Sequence, residues 1–453
     1  MDHFTYRHGT LHAEGVPLAD IAAAVGTPTY VYSTATLTRH ATLLQDAFAP
    51  LRPLICFAVK SCPNIHILRH LVSLGLGMDV VSAGELTRAL AAGCDPAKIV
   101  FAGVGKARAE IDLALSTRPA PVGQFNVESA QELEAIAASA SALGVTARVA
   151  LRVNPMVAAG GHAHIQTATP TSKFGLSIDQ ARALARAYSP NHADHTAGHV
   201  RIAGLHMHLG SSIVTPQPYL LAIPRLLALA DELADMGHTI DTLDLGGGFG
   251  ADYNTGDAPA PTAFAHAIIP LLQARVNVGL KVVIEPGRFI AANAGILLTR
   301  VLYVKHDQGT GRTFIVCDAG MNTLLRPALY DAFHFLWPAR VPPELVPLTR
   351  GHTPTFETTT AQSLAHAPHP QLTTVDVVGP ICESADVLAK ARPLPPIAQG
   401  DLLSLFAAGA YGMSMASRYN SHPLPAEVLV NDRAFTTIRR RETLDDLLAH
   451  ERN

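Results

Sequence analysis

Between residues 54 and 290, short apolar runs rich in β-branched and aromatic residues alternate with longer stretches whose apolar positions recur at helical spacing. The runs predict strands at Leu54 to Lys60, Gly77 to Val81, Ile99 to Ala102, Val122 to Asn126, Ala147 to Val153, Ile202 to His208, Thr242 to Leu245 and Val282 to Glu285. Eight strand–helix repeats predict an α/β fold, a closed (β/α)8 TIM barrel rather than an open sheet. After residue 291 the rhythm changes to strand-like runs such as ILLTRVLYVK, RTFIVCDAG, LTTVDVVG and DLLSLFAAG, parted by Pro, Gly and polar turns. This reads as a second, mostly β, barrel- or sandwich-like domain. The expected division is 35–290 for the barrel and 291–453 for the β domain, the latter joined by 1–34. Pro338 to Pro354 and Pro393 to Pro396 read as surface loops, and NHADHTAGH (Asn191 to His199) as an exposed connection.

A length of 453 residues, 48% of them hydrophobic and 16% charged, suits a large core and argues against a disordered chain. The formal charge of −3 and the lack of a Lys/Arg run leave no electrostatic footprint for nucleic acid or an anionic membrane, so the expected partner is a small molecule. MDHFTYRHGTLHAEGV lacks the basic start and apolar stretch of a signal peptide, and no later segment reads as a membrane span. Cys56, Cys62, Cys94, Cys317 and Cys382 are odd in number and lack metal-ligand spacing, which fits a reducing cytoplasm better than a disulfide framework.

In such a barrel the reactive groups stand at the C-terminal ends of the strands, and here those ends carry chemistry. The first ends in FAVKSCPN, placing Lys60 where burial can lower an amine pKa and favour a Schiff base; a surface lysine closing a strand is the plainer alternative. The sixth ends in HMHLGSS, with His206 and His208 two residues apart and Gly210 and Ser211 in the turn. An imidazole there can stack on an aromatic ring, and the same pair could ligate a metal if further ligands joined it. The seventh runs into LDLGGGFG, where Gly246, Gly247 and Gly248 let backbone N–H groups approach an anion. Those glycines with Ala251 also satisfy a dinucleotide fingerprint, but DYNTGDAPAP follows instead of a helix, and no acidic residue stands at the ribose position. The eighth ends in IEPGR, bringing Glu285 and Arg288 to the same rim. A carboxylate paired with a pyridine nitrogen keeps that ring protonated and makes it an electron sink.

The β domain adds three polar, Gly-containing segments: DAGMNTLLRPALYDAFH, GPICESADVL and GAYGMSMASRYNSHPLPAEVLV. Cys382 is a candidate general acid, although an isolated Cys is often a small buried hydrophobe; its neighbour Glu383 weakens that inert reading.

Together, FAVKSCPN, DVVSAGEL, SKFGLS, GLHMHLGSS, LDLGGGFG, IEPGR, AGMNTLLRPALY, GPICESADVLA and GAYGMSMASRYN resemble, in order and over nearly the whole chain, the diaminopimelate decarboxylase family of fold-type III pyridoxal 5′-phosphate (PLP) enzymes. The resemblance implies that Lys60 carries PLP as a Schiff base, His208 stacks on its ring, and Glu285 pairs with the ring nitrogen. It implies cofactor contacts from Ser211, Gly247, Gly248, Pro286, Gly287, Arg288 and Tyr411. Substrate contacts would come from Arg288, Arg326, Tyr330, Glu383 and Tyr411, with Cys382 as proton donor. It further implies a homodimer in which Cys382 and Glu383 serve the neighbouring subunit's site, and decarboxylation of meso-2,6-diaminopimelate to L-lysine and CO2.

Family members usually carry Gly, Tyr and Asn where this chain has Ala385, His164 and Arg418. Decarboxylases of ornithine, lysine, arginine or carboxynorspermidine would share Lys60, His208 and Glu285, whereas Arg326 and the Cys-Glu-Ser segment favour diaminopimelate. An alanine racemase would place arginine against the ring nitrogen, and a metal-dependent barrel hydrolase would use His206 and His208 as ligands.

Overall fold

The computed structural model describes residues 3–157, 172–190, 198–251, 253, 259–346, 348–350, 353–355 and 371–452. They fall into two compact units, one of Met1–Arg39, Ala251–Ala258 and Arg288–Asn453, the other of His40–Gly250 and Pro259–Gly287.

In the His40–Gly287 unit, eight parallel strands close into a barrel in chain order. They are β1 (Leu54–Ala58), β2 (Gly77–Val80), β3 (Ile99–Phe101), β4 (Gln124–Val127), β5 (Ala147–Arg152), β6 (Val200–His206), β7 (Thr242–Asp244) and β8 (Lys281–Ile284). Val283 pairs with Leu54 and Ile284 with Ile55, which joins the last strand to the first. All eight predicted strands are present, because parallel strands covered by helices are buried on both faces and therefore read as continuous apolar runs. The ends differ. Lys60 lies in a single 3-10 turn, Val59–Ser61, where Ser61 Oγ donates to the Ala58 carbonyl at 2.7 Å. His208 lies two residues beyond β6, and Glu285 one beyond β8.

Three of the helices open on side-chain caps that satisfy a first-turn N–H. Asn64 accepts from His66 N, Ser82 from Glu85 N and Ser129 from Glu132 N, opening Ile65–Ser73, Ala83–Ala91 and Ala130–Leu143. Among the described residues no helix is long and apolar enough to cross a membrane.

The other unit is built on one sheet in the order Val387–Leu394, Thr373–Val378, Thr313–Cys317, Gly295–His306, Thr29–Ser33, Ala426–Asn431, Ala434–Arg439. Leu402–Leu405 pairs with both Gly295–His306 and Leu336–Pro338. The N-terminal strand Thr29–Ser33 is thus central, antiparallel to Gly295–His306 and parallel to Ala426–Asn431. The four predicted C-terminal strands are all present.

Two loop expectations are corrected. Pro393 lies inside Val387–Leu394, opposite Thr374, on the sheet's outermost strand, where the missing N–H costs no ladder bond to a further neighbour. Pro338 closes a short strand, and Leu348–Arg350 pairs with Thr353–Thr355. Asn191 to Ala197 and the segment 158–171, with His164, lie outside the described residues.

Candidate active site

The barrel interior carries a polar layer where its strands end. Asp79 of β2, Asn126 of β4, His206 of β6 and Asp244 of β7 are all buried, as is Glu285. Lys60 Nζ donates to Asp79 Oδ2 at 2.5 Å. Asn126 Nδ2 donates to Glu285 Oε1 at 3.1 Å and to Asp244 Oδ2 at 3.3 Å, while Gln124 Nε2 holds Asn126 Oδ1 at 2.8 Å. His206 Nε2 stands 3.4 Å from Glu285 Oε2, an electrostatic contact rather than an aligned hydrogen bond.

Three carboxyls buried in one layer cannot all ionise cheaply. Burial pushes Asp244 well above the usual carboxylate range, and the Glu285 charge adds to it. Burial and Glu285 likewise raise Asp79, against the pull of Lys60. At Glu285 burial acts the same way, but the neighbouring His206 and Lys60 outweigh it and hold its carboxyl below the ordinary range.

His208 is pushed down to about 3 by burial, by Arg152 and by Lys60. Its Nδ1 accepts the Gly210 N–H at 3.3 Å, which fits a neutral ring with its proton on Nε2. Arg152 is held against Glu128 at 2.7 Å and lies 4.8 Å over the Phe174 ring.

The glycine turn after β7 is stitched to the end of β8. Gly246 O accepts Glu285 N at 2.8 Å, and Tyr219 OH donates to Gly247 O at 2.7 Å. A Cβ on Gly247 would lie 2.1 Å from the Glu285 carbonyl oxygen and 3.7 Å from His208 Nε2, so only glycine lets the turn run there. Pro286 O accepts Ala58 N at 3.2 Å, and Gly287 packs on Ala58 and Ser61. Ser211 is half-buried in the turn after β6.

The remaining predicted residues belong to the other unit. Arg288 and Arg326 are both buried, and both meet Tyr253. Arg288 Nη1 donates to its hydroxyl at 2.9 Å, and the Arg326 guanidinium stacks 4.4 Å from its ring centre. Burial alone would raise the Tyr253 phenol, but the two guanidiniums outweigh it and lower it. Arg288 also lies 4.7 Å over Tyr411, a non-glycine residue held at φ +56°. Tyr330 is half-buried at the end of the short helix Arg326–Tyr330.

Cys382 and Glu383 are exposed; Cys382 N donates to Asn420 Oδ1 at 2.8 Å, and Tyr419 OH reaches Glu383 Oε2 at 3.4 Å. Their segment is anchored by Asp386, whose carboxylate accepts Met321 N at 2.5 Å and Ile381 N at 2.7 Å. Ala385 is exposed, and Arg418 forms a two-pronged ion pair with Glu442 at 3.0 and 2.7 Å.

The structure therefore sorts the predicted residues into two sets. Lys60, His208, Ser211, Gly247, Gly248, Glu285, Pro286 and Gly287 belong to the barrel unit; Arg288, Arg326, Tyr330, Cys382, Glu383 and Tyr411 belong to the other. Sequence reasoning missed Asp79, Asn126, Asp244, Tyr253, His334 and Asp386. Asp79 and Asp244 sat inside quoted motifs as acidic residues within apolar runs, which was a usable signal. Among the described residues, the donor cluster that could hold a metal is His206, Asp244 and Glu285, without the His208 that the metal-ligand alternative would use. Two of its three members already share Asn126.

An amine beside a buried carboxylate, a second carboxylate kept ionised, a neutral imidazole and a glycine turn together fit PLP, whose ring needs an anchor, an anion at its nitrogen and backbone donors at its phosphate. Residues 34–292 match the family model of the pyridoxal-dependent decarboxylase pyridoxal-binding domain. The fold and site thus define a PLP-dependent decarboxylase.

The diaminopimelate decarboxylase of Haemophilus influenzae is 43% identical over 451 residues, covering 100% of this chain and 99% of the relative. That of Pseudomonas aeruginosa is 44% identical over 452 residues, covering 100% and 99%. The crystal structure of diaminopimelate decarboxylase from Helicobacter pylori complexed with L-lysine superposes with a TM-score of 0.83 at 33% identity, covering 96% of this chain and 99% of that one. The chain belongs to the diaminopimelate decarboxylase family, as its ordered motifs implied.

Proposed function

We propose that this chain decarboxylates meso-2,6-diaminopimelate to L-lysine and CO2, the closing reaction of lysine biosynthesis, in the cytoplasm. The observation that carries the choice of substrate is the pair of buried guanidiniums, Arg288 and Arg326, around Tyr253. A planar guanidinium binds a carboxylate through two parallel hydrogen bonds, which a decarboxylase of simple diamino acids does not need at the far end of its substrate.

When bound, PLP supplies the electron sink that accepts the electron pair released with CO2. Lys60 supplies the amine that anchors the cofactor and yields its place to the substrate amine; its ammonium proton can pass to Asp79 Oδ2, 2.5 Å away. Glu285 keeps a negative charge for the pyridine nitrogen, and Asn126 fixes the direction of its Oε1. His208, neutral, would stack on the cofactor ring. Ser211, Gly247, Gly248, Pro286, Gly287 and Arg288 would serve the cofactor's phosphate side, and Tyr411 would also contact the cofactor.

Arg288, Arg326 and Tyr330 hold the substrate's carboxylate, and Glu383 its distal ammonium. Cys382 Sγ delivers the proton that replaces the lost carboxylate. Its exposure beside Glu383 supports a homodimer in which these two residues serve the neighbouring subunit. In this reading 35–290 is the cofactor domain, and 291–453 with 1–34 carries substrate recognition.

The test is lysine formation from meso-diaminopimelate by the PLP-loaded protein, beside Lys60→Ala and a panel of L-ornithine, L-lysine and L-arginine. Lysine formed only with Lys60 intact is expected. Preferred turnover of a panel member would overturn the substrate assignment. Mixing inactive Lys60→Ala and Cys382→Ala chains should restore part of the activity; no recovery from chains shown to exchange would remove the shared site.

A further inference from the structure

Arg326 is buried, and the charge of a buried guanidinium is tolerable only where its N–H groups find acceptors. One acceptor is an imidazole. His334 Nε2 lies 2.9 Å from Arg326 Nη1, and His334 Nδ1 lies 2.9 Å from the Phe406 carbonyl oxygen. A carbonyl can only accept, so Nδ1 carries the ring proton. Nε2 is then left with a lone pair, aimed at the arginine.

The ring itself is fixed on several sides. It is 1% exposed, and it meets the Tyr253 ring edge-on at 5.5 Å. Its own carbonyl accepts Arg392 Nη1 at 3.1 Å, while the Arg392 guanidinium lies 4.0 Å over the neighbouring Phe333 ring. Burial and the Arg326 charge hold the imidazole down to about 3, so it stays an acceptor across the working pH range.

We propose that His334 is a positioning residue for substrate selection: through Nε2 it fixes the guanidinium plane of Arg326 and so sets the preference for a ligand that keeps a distal carboxylate over one that lacks it. This rests on reading Arg326 as a carboxylate-binding residue. Tyr253 bounds the same guanidinium from its face, which leaves its edges as the directions for hydrogen bonding.

The test compares L-lysine with cadaverine, the same carbon chain without the carboxylate, binding to the PLP-loaded protein and followed by cofactor absorbance. Two variants divide the imidazole's two bonds. His334→Asn places an amide where Nδ1 was, keeping a donor for Phe406 but no acceptor for Arg326. His334→Gln places its amide oxygen where Nε2 was. The expected result is that Asn weakens L-lysine binding about tenfold or more, as for the loss of a hydrogen bond to a charged group, and leaves cadaverine unchanged. Gln should keep most of the preference. For meso-diaminopimelate, Asn should raise KM more than it lowers kcat.

Equal weakening of both ligands by Asn, or the same loss from Gln as from Asn at matched Tm, would overturn the proposal. His334→Phe replaces Asn if that chain does not accumulate, with the same expected outcome. Arg326→Gln separates the two layers of argument. If it leaves the L-lysine preference intact, the reading of Arg326 itself is wrong; if it abolishes the preference while His334→Asn does not, only the inference about His334 falls.

Discussion

Lys60 and Asp79 form an ion pair in which one partner is sealed and the other is not: Nζ lies 2.5 Å from Oδ2, with the lysine side chain 33% exposed and the carboxylate 0%. The second carboxylate oxygen has no hydrogen-bond partner among the described residues. Asp79 is therefore a buried carboxyl whose charged form is compensated chiefly by Lys60, the residue proposed to anchor the cofactor. Replacing Asp79 with Asn keeps the shape and removes the anion, which lowers the amine pKa. In Asp79→Asn, the pH midpoint for cofactor attachment to the apoprotein, followed by absorbance, should move down by about one unit or more. An unmoved midpoint would mean that the pair does not govern the amine.

Of Asp79, Asp244 and Glu285, Glu285 is the one whose carboxyl is held below the ordinary range. Glu285→Gln should keep the cofactor bound and lower kcat by about 10²- to 10³-fold, the usual cost of removing a charge aimed at the reacting system. Asn126→Ala, which frees Oε1 without removing the charge, should cost less. Absorbance for loading and single-turnover rates for chemistry separate the two effects.

His208 and His334 are both held down to about 3, while an exposed histidine in the unfolded chain titrates near 6.5. Between these values the unfolded chain binds more protons than the folded one, so their contribution is fully present above about 6.5 and is lost as pH falls toward 3. Thermal unfolding of the apoprotein should show Tm falling from pH 7 to pH 5. The fall should be shallower in the His208→Gln, His334→Gln double variant. An equal slope in both chains would assign the acid loss to other groups.

Two glycines allow a controlled comparison. Gly247→Ala drives a methyl to 2.1 Å from the Glu285 carbonyl, whereas Gly144→Ala, at φ +64°, meets nothing within 4 Å. The first should cost about 1–3 kcal/mol from overpacking and also weaken cofactor binding. The second should cost about 1 kcal/mol from backbone strain alone and leave the cofactor untouched. Calorimetry and a cofactor titration on both chains test the pair.

The apolar runs alone determined the barrel. Most strand positions are buried, so burial is written as short, largely apolar segments, and eight such segments with helical spacers have few other ways to close. The order of the strand-end motifs likewise carried the family, and with it Lys60, His208, Glu285 and the glycine turn. Strand ends were less legible because propensity does not report where a ladder stops: Lys60 reads as strand and sits in a turn. The strand Thr29–Ser33 was harder still, since its partners begin at Gly295 and Ala426.

What only the tertiary structure decided is which polar residues act on which. Asp79, Asn126, Asp244 and Glu285 come from four different strand regions, and the protonation of the three carboxyls follows from sharing one buried layer, a condition no local pattern encodes. His334 is one histidine among 22 in the sequence and becomes specific only when folding delivers the Phe406 carbonyl to one nitrogen and Arg326 to the other. Periodicity records burial, which each residue carries in its own side chain; charge state and hydrogen-bond direction belong to pairs, and the fold alone makes the pairs.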